Sequence, residues 1–213
     1  MDEVLEENVK KILADYSGEG RVFFNEAHFQ YEFTISLYNA LKSYKYRFTL
    51  EKAIKTNKAS YRVDLLVTNS SGEKYVFEFK YLTTEEEVNL KGGLTIFLKN
   101  QQARNIFRYR SWRDISKIEN LKEASECSGG YFLLITNDSN LKKKVEDTCQ
   151  DYRFTMNVGV QPSYPSPLEW RDKTKSTAKK YPNSINIRNK YEFKYYSYKA
   201  TELGNFEYLI VKI

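Results

Sequence analysis

The most constraining feature of this chain is a hairpin whose second strand carries charge where a buried strand should carry none. In Val76-Phe-Glu-Phe-Lys-Tyr81, strand alternation puts Phe77, Phe79 and Tyr81 on one face and Glu78 with Lys80 on the other. A carboxylate and an ammonium on a core-facing strand need a partner or a task. The preceding strand, Tyr61 to Thr68, brings Asp64 within Arg62-Val-Asp-Leu-Leu-Val67. Between them, Ser70-Ser71-Gly72 reads as a three-residue loop, with Gly72 supplying the left-handed residue such loops need. If Asn69 faces Glu73, counting back sets Asp64 opposite Glu78, where Cβ atoms stand roughly 4.5–5.5 Å apart. Two carboxylates so close repel each other unless a cation lies between them. Oxygen ligands suit Mg²⁺ or Mn²⁺, which keep some waters and accept phosphate oxygens. Lys80, one pleat further on, is placed to orient an attacking water or to stabilise charge developing on phosphate. The competing account is a surface charge cluster.

Around the hairpin the periodicities alternate between helix and strand. Val4 to Tyr16 reads as an amphipathic helix followed by a Ser17-Gly-Glu-Gly turn. Asn25 is a fitting N-cap for a helix to about Ser43, with Phe29, Phe33, Leu37 and Leu41 as its apolar stripe. Tyr44 to Ile54 reads as a strand, and Thr83 to Lys99 as a connection with Gly92-Gly93 in its middle. Gln101 to Ala124 is the longest helical stretch, and Gly130 to Thr136 is a continuous apolar run suited to a buried central strand. Beyond Asp151, Pro162, Pro165, Pro167 and Pro182 mark a loop-rich region, closed by strands at Tyr191 to Tyr198 and Phe206 to Ile213. With no repeat or linker in 213 residues, a single domain is expected, its core at about 25–136 and a C-terminal elaboration at about 150–213.

Composition bounds the function classes. A formal charge of +6 is compatible with a polyanionic partner, and 18 Tyr with 13 Phe favour sheets or ring-stacking surfaces. Two cysteines, Cys127 and Cys149, make no disulfide framework and are expected to be reduced thiols. No apolar run approaches the roughly 20 residues of a membrane span. The start, Met1-Asp-Glu-Val-Leu-Glu-Glu, is acidic where a secretion signal would be basic, so a cytoplasmic protein is expected. His28, the only histidine, excludes His-rich zinc sites and reads as structural.

At Asp64, Glu78 and Lys80 the sequence resembles the PD-(D/E)XK nuclease superfamily. The order helix, strand, Asp-bearing strand, Glu-x-Lys strand, helix, buried strand is similar to that superfamily's restriction-endonuclease-like αβββαβ core. Val63 stands where proline often precedes the aspartate. More narrowly, the Asn25-Glu-Ala-His-Phe-Gln30 helix start, the Gly130 to Asn137 strand and the closing Phe206 to Val211 look like uncharacterised bacterial members. The resemblance implies an α/β fold with a mixed sheet flanked by helices, extra C-terminal strands, and Mg²⁺- or Mn²⁺-dependent phosphodiester hydrolysis, with DNA the expected substrate. Asp64 and Glu78 would hold the metal and Lys80 would assist the water. It also implies an acid on the first core helix: Glu26 projects into the Phe29/Phe33 stripe and Glu32 onto its flank, which favours Glu26. A Gln or Lys is expected on the helix after Glu-x-Lys, and Gln101 and Gln102 are both in range. Many such enzymes are dimers, so a homodimer is compatible.

Elsewhere, Arg104 and Arg108 share a helix face and are candidates for phosphate contact, against a solvated face as the alternative. Arg110 and Asp114 lie at i, i+4 on the apolar side and suggest a structural ion pair. Tyr191-Glu-Phe-Lys-Tyr195 repeats the Glu-x-Lys pattern, but no acid on a preceding strand matches Glu192, so a solvated face is expected there. The alternatives to an enzyme are a non-catalytic nucleic-acid-binding module of the same fold and a protein that binds an acidic partner.

Overall fold

The computed structural model describes residues 2–89, 95–160, 167–198 and 206–213. In chain order its elements are α1 (Glu3–Glu19), α2 (Glu26–Leu41), β1 (Arg47–Lys55), β2 (Ser60–Thr68), β3 (Lys74–Leu82), β4 (Glu86–Asn89) and β5 (Thr95–Leu98). Then come α3 (Arg104–Glu123), β6 (Gly129–Thr136), β7 (Gly159–Val160), α4 (Ser176–Lys180), β8 (Glu192–Phe193), β9 (Tyr195–Tyr198) and β10 (Phe206–Lys212). Six strands form one mixed sheet in the order β1-β2-β3-β6-β10-β9, flanked by helices. Only the β3–β6 pair within it is parallel, and α3 lies on the path between those two strands. No helix among the described residues is long and apolar enough to cross a membrane.

Each face of the sheet has its own core. On one, Leu5, Val9 and Leu13 of α1 and Phe29, Phe33 and Leu37 of α2 meet Phe77, Phe79, Tyr81, Leu133 and Ile135. On the other, Phe107, Ile115 and Ile118 of α3 pack on Val76, Phe132 and Leu134, together with Phe154, Trp170 and Phe193 from the C-terminal region. The alternation expected for β3 therefore holds: its rings face α1 and α2, and Glu78 and Lys80 lie on the α3 side. The hairpin turn is also as expected, with Asn69 donating to the Glu73 carbonyl (3.0 Å) and Gly72 at φ 88°.

Several boundaries differ for local reasons. The Ser17-Gly-Glu-Gly segment is not a separate turn: α1 runs through Ser17, Gly18 and Glu19, and Gly20 ends it in the left-handed conformation. Asn25 does cap α2, accepting from His28 N–H at 2.8 Å, but a 3₁₀ turn at Lys42–Tyr44 follows Leu41, so β1 starts at Arg47 rather than Tyr44. The connection after β3 forms the β4–β5 hairpin, while Gly92-Gly93 lies outside the described residues. Helix α3 begins at Arg104, leaving Gln101 and Gln102 ahead of it. The stretch Tyr191 to Tyr198 divides into β8 and β9, which join different sheets. Pro162 and Pro165 are outside the described residues.

Candidate active site

Strands β2 and β3 separate like a fork, and the site fills the gap. Their ladder runs from Thr68↔Lys74 to Leu65↔Phe77 and stops there. Its register, continued by one pair, would place Asp64 opposite Glu78. Instead of a backbone carbonyl, the Asp64 carboxylate takes the next freed donor, Phe79 N–H, at 2.8 Å. Side chains also satisfy backbone groups around the fork. Glu26 accepts Tyr81 N–H (3.3 Å), Lys80 Nζ donates to the Phe79 carbonyl (2.7 Å), and Gln30 Nε2 donates to the Asp64 carbonyl (2.8 Å). Lys117 Nζ caps the Arg62 carbonyl at 3.0 Å. Buried backbone groups without partners are costly, so these side chains stabilise an opening that a continuous ladder would close.

Four carboxylates and two ammoniums converge there. Lys80, 8 % exposed, bonds Asp114 Oδ2 at 2.9 Å and Glu26 Oε1 at 3.4 Å. Lys117 lies 2.6 Å from Glu78 Oε2 and 3.3 Å from Asp114 Oδ1. Glu78 is 1 % exposed, and its Oε1 is buried with no hydrogen-bond partner among the described residues. With every group ionised, Glu26, Asp64, Glu78 and Asp114 carry four negative charges against the positive charges of Lys80, Lys117 and Arg113, whose Nε lies 4.0 Å from Asp114 Oδ1. One negative charge is left over.

The titration of these groups reflects that excess. Burial, reinforced by Asp114 and Asp64, pushes Glu78 well above the ordinary carboxylate range despite Lys117. Burial likewise raises Asp64 and Glu26. Asp114 goes the other way: burial opposes its charge, but Lys80 and Lys117 together hold it low. Burial also opposes both ammoniums, yet the surrounding carboxylates raise Lys80 and Lys117 above the ordinary lysine value. Lys80 is therefore a fixed positive charge and hydrogen-bond donor near neutral pH, not a base.

No family model, curated protein or solved structure matches this chain. What the site can do rests on its own chemistry. Among the described residues no three His, Cys, Asp or Glu side chains form a ready metal shell. Mg²⁺ or Mn²⁺ does not require one, since either ion binds through one or two carboxylates and keeps several waters. The partnerless Glu78 Oε1, the Asp64 carboxylate near it and the uncompensated charge fit such a cation.

Of the residues expected from sequence, the structure brings Asp64, Glu78, Lys80 and Glu26 together. Glu32 is elsewhere, paired with Arg21 at 2.9 Å. Gln101 and Gln102 precede α3, and Gln102 accepts from Arg110 at 3.1 Å. The α3 residues that reach the site are Asp114 and Lys117. Asp114 is thus not the partner of Arg110, because the neighbouring strand offers Lys80 and its own helix offers Lys117. Asp114 lies on the otherwise largely apolar line Phe107, Ser111, Ile118, Leu121, and a lone acid in such a stripe is a readable signal. Glu51 was also missed. It lies opposite Asp64 in β1, where the ladder skips a pair, in the left-handed conformation (φ 50°), and accepts from Gln30 at 3.3 Å. No sequence pattern marks it.

Of the expected phosphate-contacting pair, Arg108 does not reach the surface. Arg108 is buried and committed to Asp151 (2.9 Å) and the Asn140 carbonyl (3.3 Å), because the C-terminal region covers that helix face. Arg104 pairs with Asp138. The exposed guanidiniums near the site are Arg62 and Arg113, whose side chains are 71 % and 55 % exposed. They line a cleft of about 410 Å³ with Lys117, Tyr61 and Asn183. Glu192 and Lys194 are exposed, as expected for a solvated face. His28 is structural, its Nδ1 accepting Phe24 N–H at 3.2 Å. Cys127 and Cys149 are both free thiols.

Proposed function

We propose that this chain is a nuclease of the PD-(D/E)XK kind that hydrolyses phosphodiester bonds, in DNA by preference, with Mg²⁺ or Mn²⁺ as cofactor. The observation that carries the reading is the fork: Asp64, Glu78, Lys80 and Glu26 gather in the gap between two strands, with excess negative charge and an unsatisfied carboxylate oxygen. The chain order α2-β1-β2-β3-α3-β6 supports it, being the order such a core requires.

Asp64 and Glu78 would hold the cation, which when bound would supply a positive charge for the phosphate oxygens and an acidified water. Lys80 donates from a position fixed by Asp114 and the Phe79 carbonyl, so its role is to orient the nucleophile and stabilise charge on the phosphate. It has no capacity to accept the water's proton. Glu26, whose side chain is partly exposed to solvent beside Lys80, is the protein group suited to that task. Arg62 and Arg113 would contact the nucleic-acid backbone along the cleft.

A second reading, a nucleic-acid-binding module without activity, draws on Lys117, whose ammonium already lies against Glu78. Nicking of supercoiled plasmid in Mg²⁺ or Mn²⁺ discriminates the two. Activity in the wild type, lost at least about a hundredfold in Lys80→Met, supports the nuclease. A wild type that binds DNA and never nicks it, with either ion, supports the module.

A further inference from the structure

Lys117 stands where a cation is needed. Its Nζ has three oxygen neighbours, Glu78 Oε2 at 2.6 Å, the Arg62 carbonyl at 3.0 Å and Asp114 Oδ1 at 3.3 Å. They come from three elements, β3, β2 and α3, so the ammonium ties together both prongs of the fork and the helix beneath. Carbonyl and carboxylate oxygens around one positive centre form the kind of shell a hard cation takes. The other Glu78 oxygen, Oε1, has no partner, and an ion bound there at about 2 Å would stand within a few ångströms of Nζ. At such a separation two positive charges in a partly buried site repel strongly.

Building on the nuclease reading, we propose that Lys117 is a place-holder for the metal: its ammonium neutralises Glu78 in the metal-free protein and is moved off Glu78 when a divalent cation binds. Asp114 keeps the displaced ammonium in the site, because it contacts Lys117 from one turn away on the same helix. Lys117 also lines the cleft with Arg62 and Arg113, so the released donor faces the path assigned to the phosphate backbone. Metal loading and readiness for the phosphate are coupled through one side chain. Lys117 is a positioning residue by this account, and it makes the metal-free site stable at the expense of metal affinity.

The test is Mn²⁺ binding by calorimetry to the full chain, wild type against Lys117→Met and Lys117→Gln. A merely structural lysine would weaken binding when removed. The place-holder predicts the opposite, a tightening of at least about tenfold in both variants, from loss of a competing charge. Equal or weaker binding by folded variants overturns it. Because removing Lys117 risks the fold, the wild type is also titrated with Mg²⁺ while lysine ammonium resonances are followed by NMR. The Lys117 signal is expected to move or vanish at one equivalent while that of Lys80 persists. Mg²⁺ bound with the Lys117 signal unmoved overturns the proposal and leaves the nuclease reading standing. No binding by any form overturns both.

Discussion

At the scale of single residues, the site is a set of charges that the fold has gathered beyond their mutual compensation. Glu78 is the clearest case: it is buried, has one satisfied oxygen, and sits near two other carboxylates. A carboxyl whose folded-state pKa is raised above its unfolded value binds its proton more tightly in the folded protein. It lowers stability as pH rises from the ordinary value of 4.5 through the folded value, and below 4.5 it costs nothing. Glu78→Gln removes the charge and leaves Lys117 its bonds to Asp114 and the Arg62 carbonyl. The variant should match the wild type near pH 4 and become progressively more stable than it toward neutrality, without metal. Urea titrations across that range would measure it. A Glu78→Gln protein less stable than wild type at neutral pH would mean that the Glu78–Lys117 bond outweighs the excess charge.

At the scale of elements, the site depends on how tightly β6 seats beside β3. Pairing Glu78 with Phe132 and Lys80 with Leu134, β6 fixes the strand that carries both charged residues. Gly130 permits that approach: a Cβ there would fall 2.2 Å from the Val76 carbonyl oxygen and 2.9 Å from Ile118 Cγ2. Backbone does not yield as a flexible side chain does, so Gly130→Ala should destabilise the protein by about 3 kcal/mol or more, read as a lower urea midpoint. Wild-type stability in that variant would show that the β3–β6 spacing is slack.

Much of this scale was legible in the sequence, and the gaps have physical causes. Local signals sufficed for the β2–β3 register, because a three-residue turn and strict alternation fix which residues oppose. They sufficed for Glu26, whose angle on α2 follows from 3.6-residue periodicity. The fork is not a local property. Whether Asp64 pairs through its backbone or bonds Phe79 with its carboxylate depends on Gln30 and Lys117, which arrive from two helices. Arg108 escaped for the same reason: Asp151, 43 positions away, turns a solvent-facing candidate into a buried ion pair. Asp114 stood visibly in an apolar stripe, but its partner Lys80 belongs to a strand, and helix spacing pointed to Arg110 instead.

At the scale of the molecule, two cores on opposite faces of one mixed sheet hold the fork between them. The acids reach it from both sides, Glu26 from α2 and Asp114 from α3. The C-terminal region takes part by covering α3, where Trp112 donates to the Phe154 and Thr155 carbonyls at 3.0 and 3.1 Å. That cover leaves Arg62, Arg113 and Lys117 as the positive lining of the open cleft. The net charge of +6 supports attraction of a polyanion, while the cluster in the fork is locally negative, an arrangement that suits a cation placed between protein and phosphate. Whether the fork binds a divalent cation is measured by calorimetric titration of Mn²⁺ into the wild type, Asp64→Asn and Glu78→Gln. One ion per chain in the wild type, with affinity reduced at least about tenfold in both variants, is the predicted result. A folded wild-type protein that takes up no Mn²⁺, or binding that both variants retain in full, would contradict it.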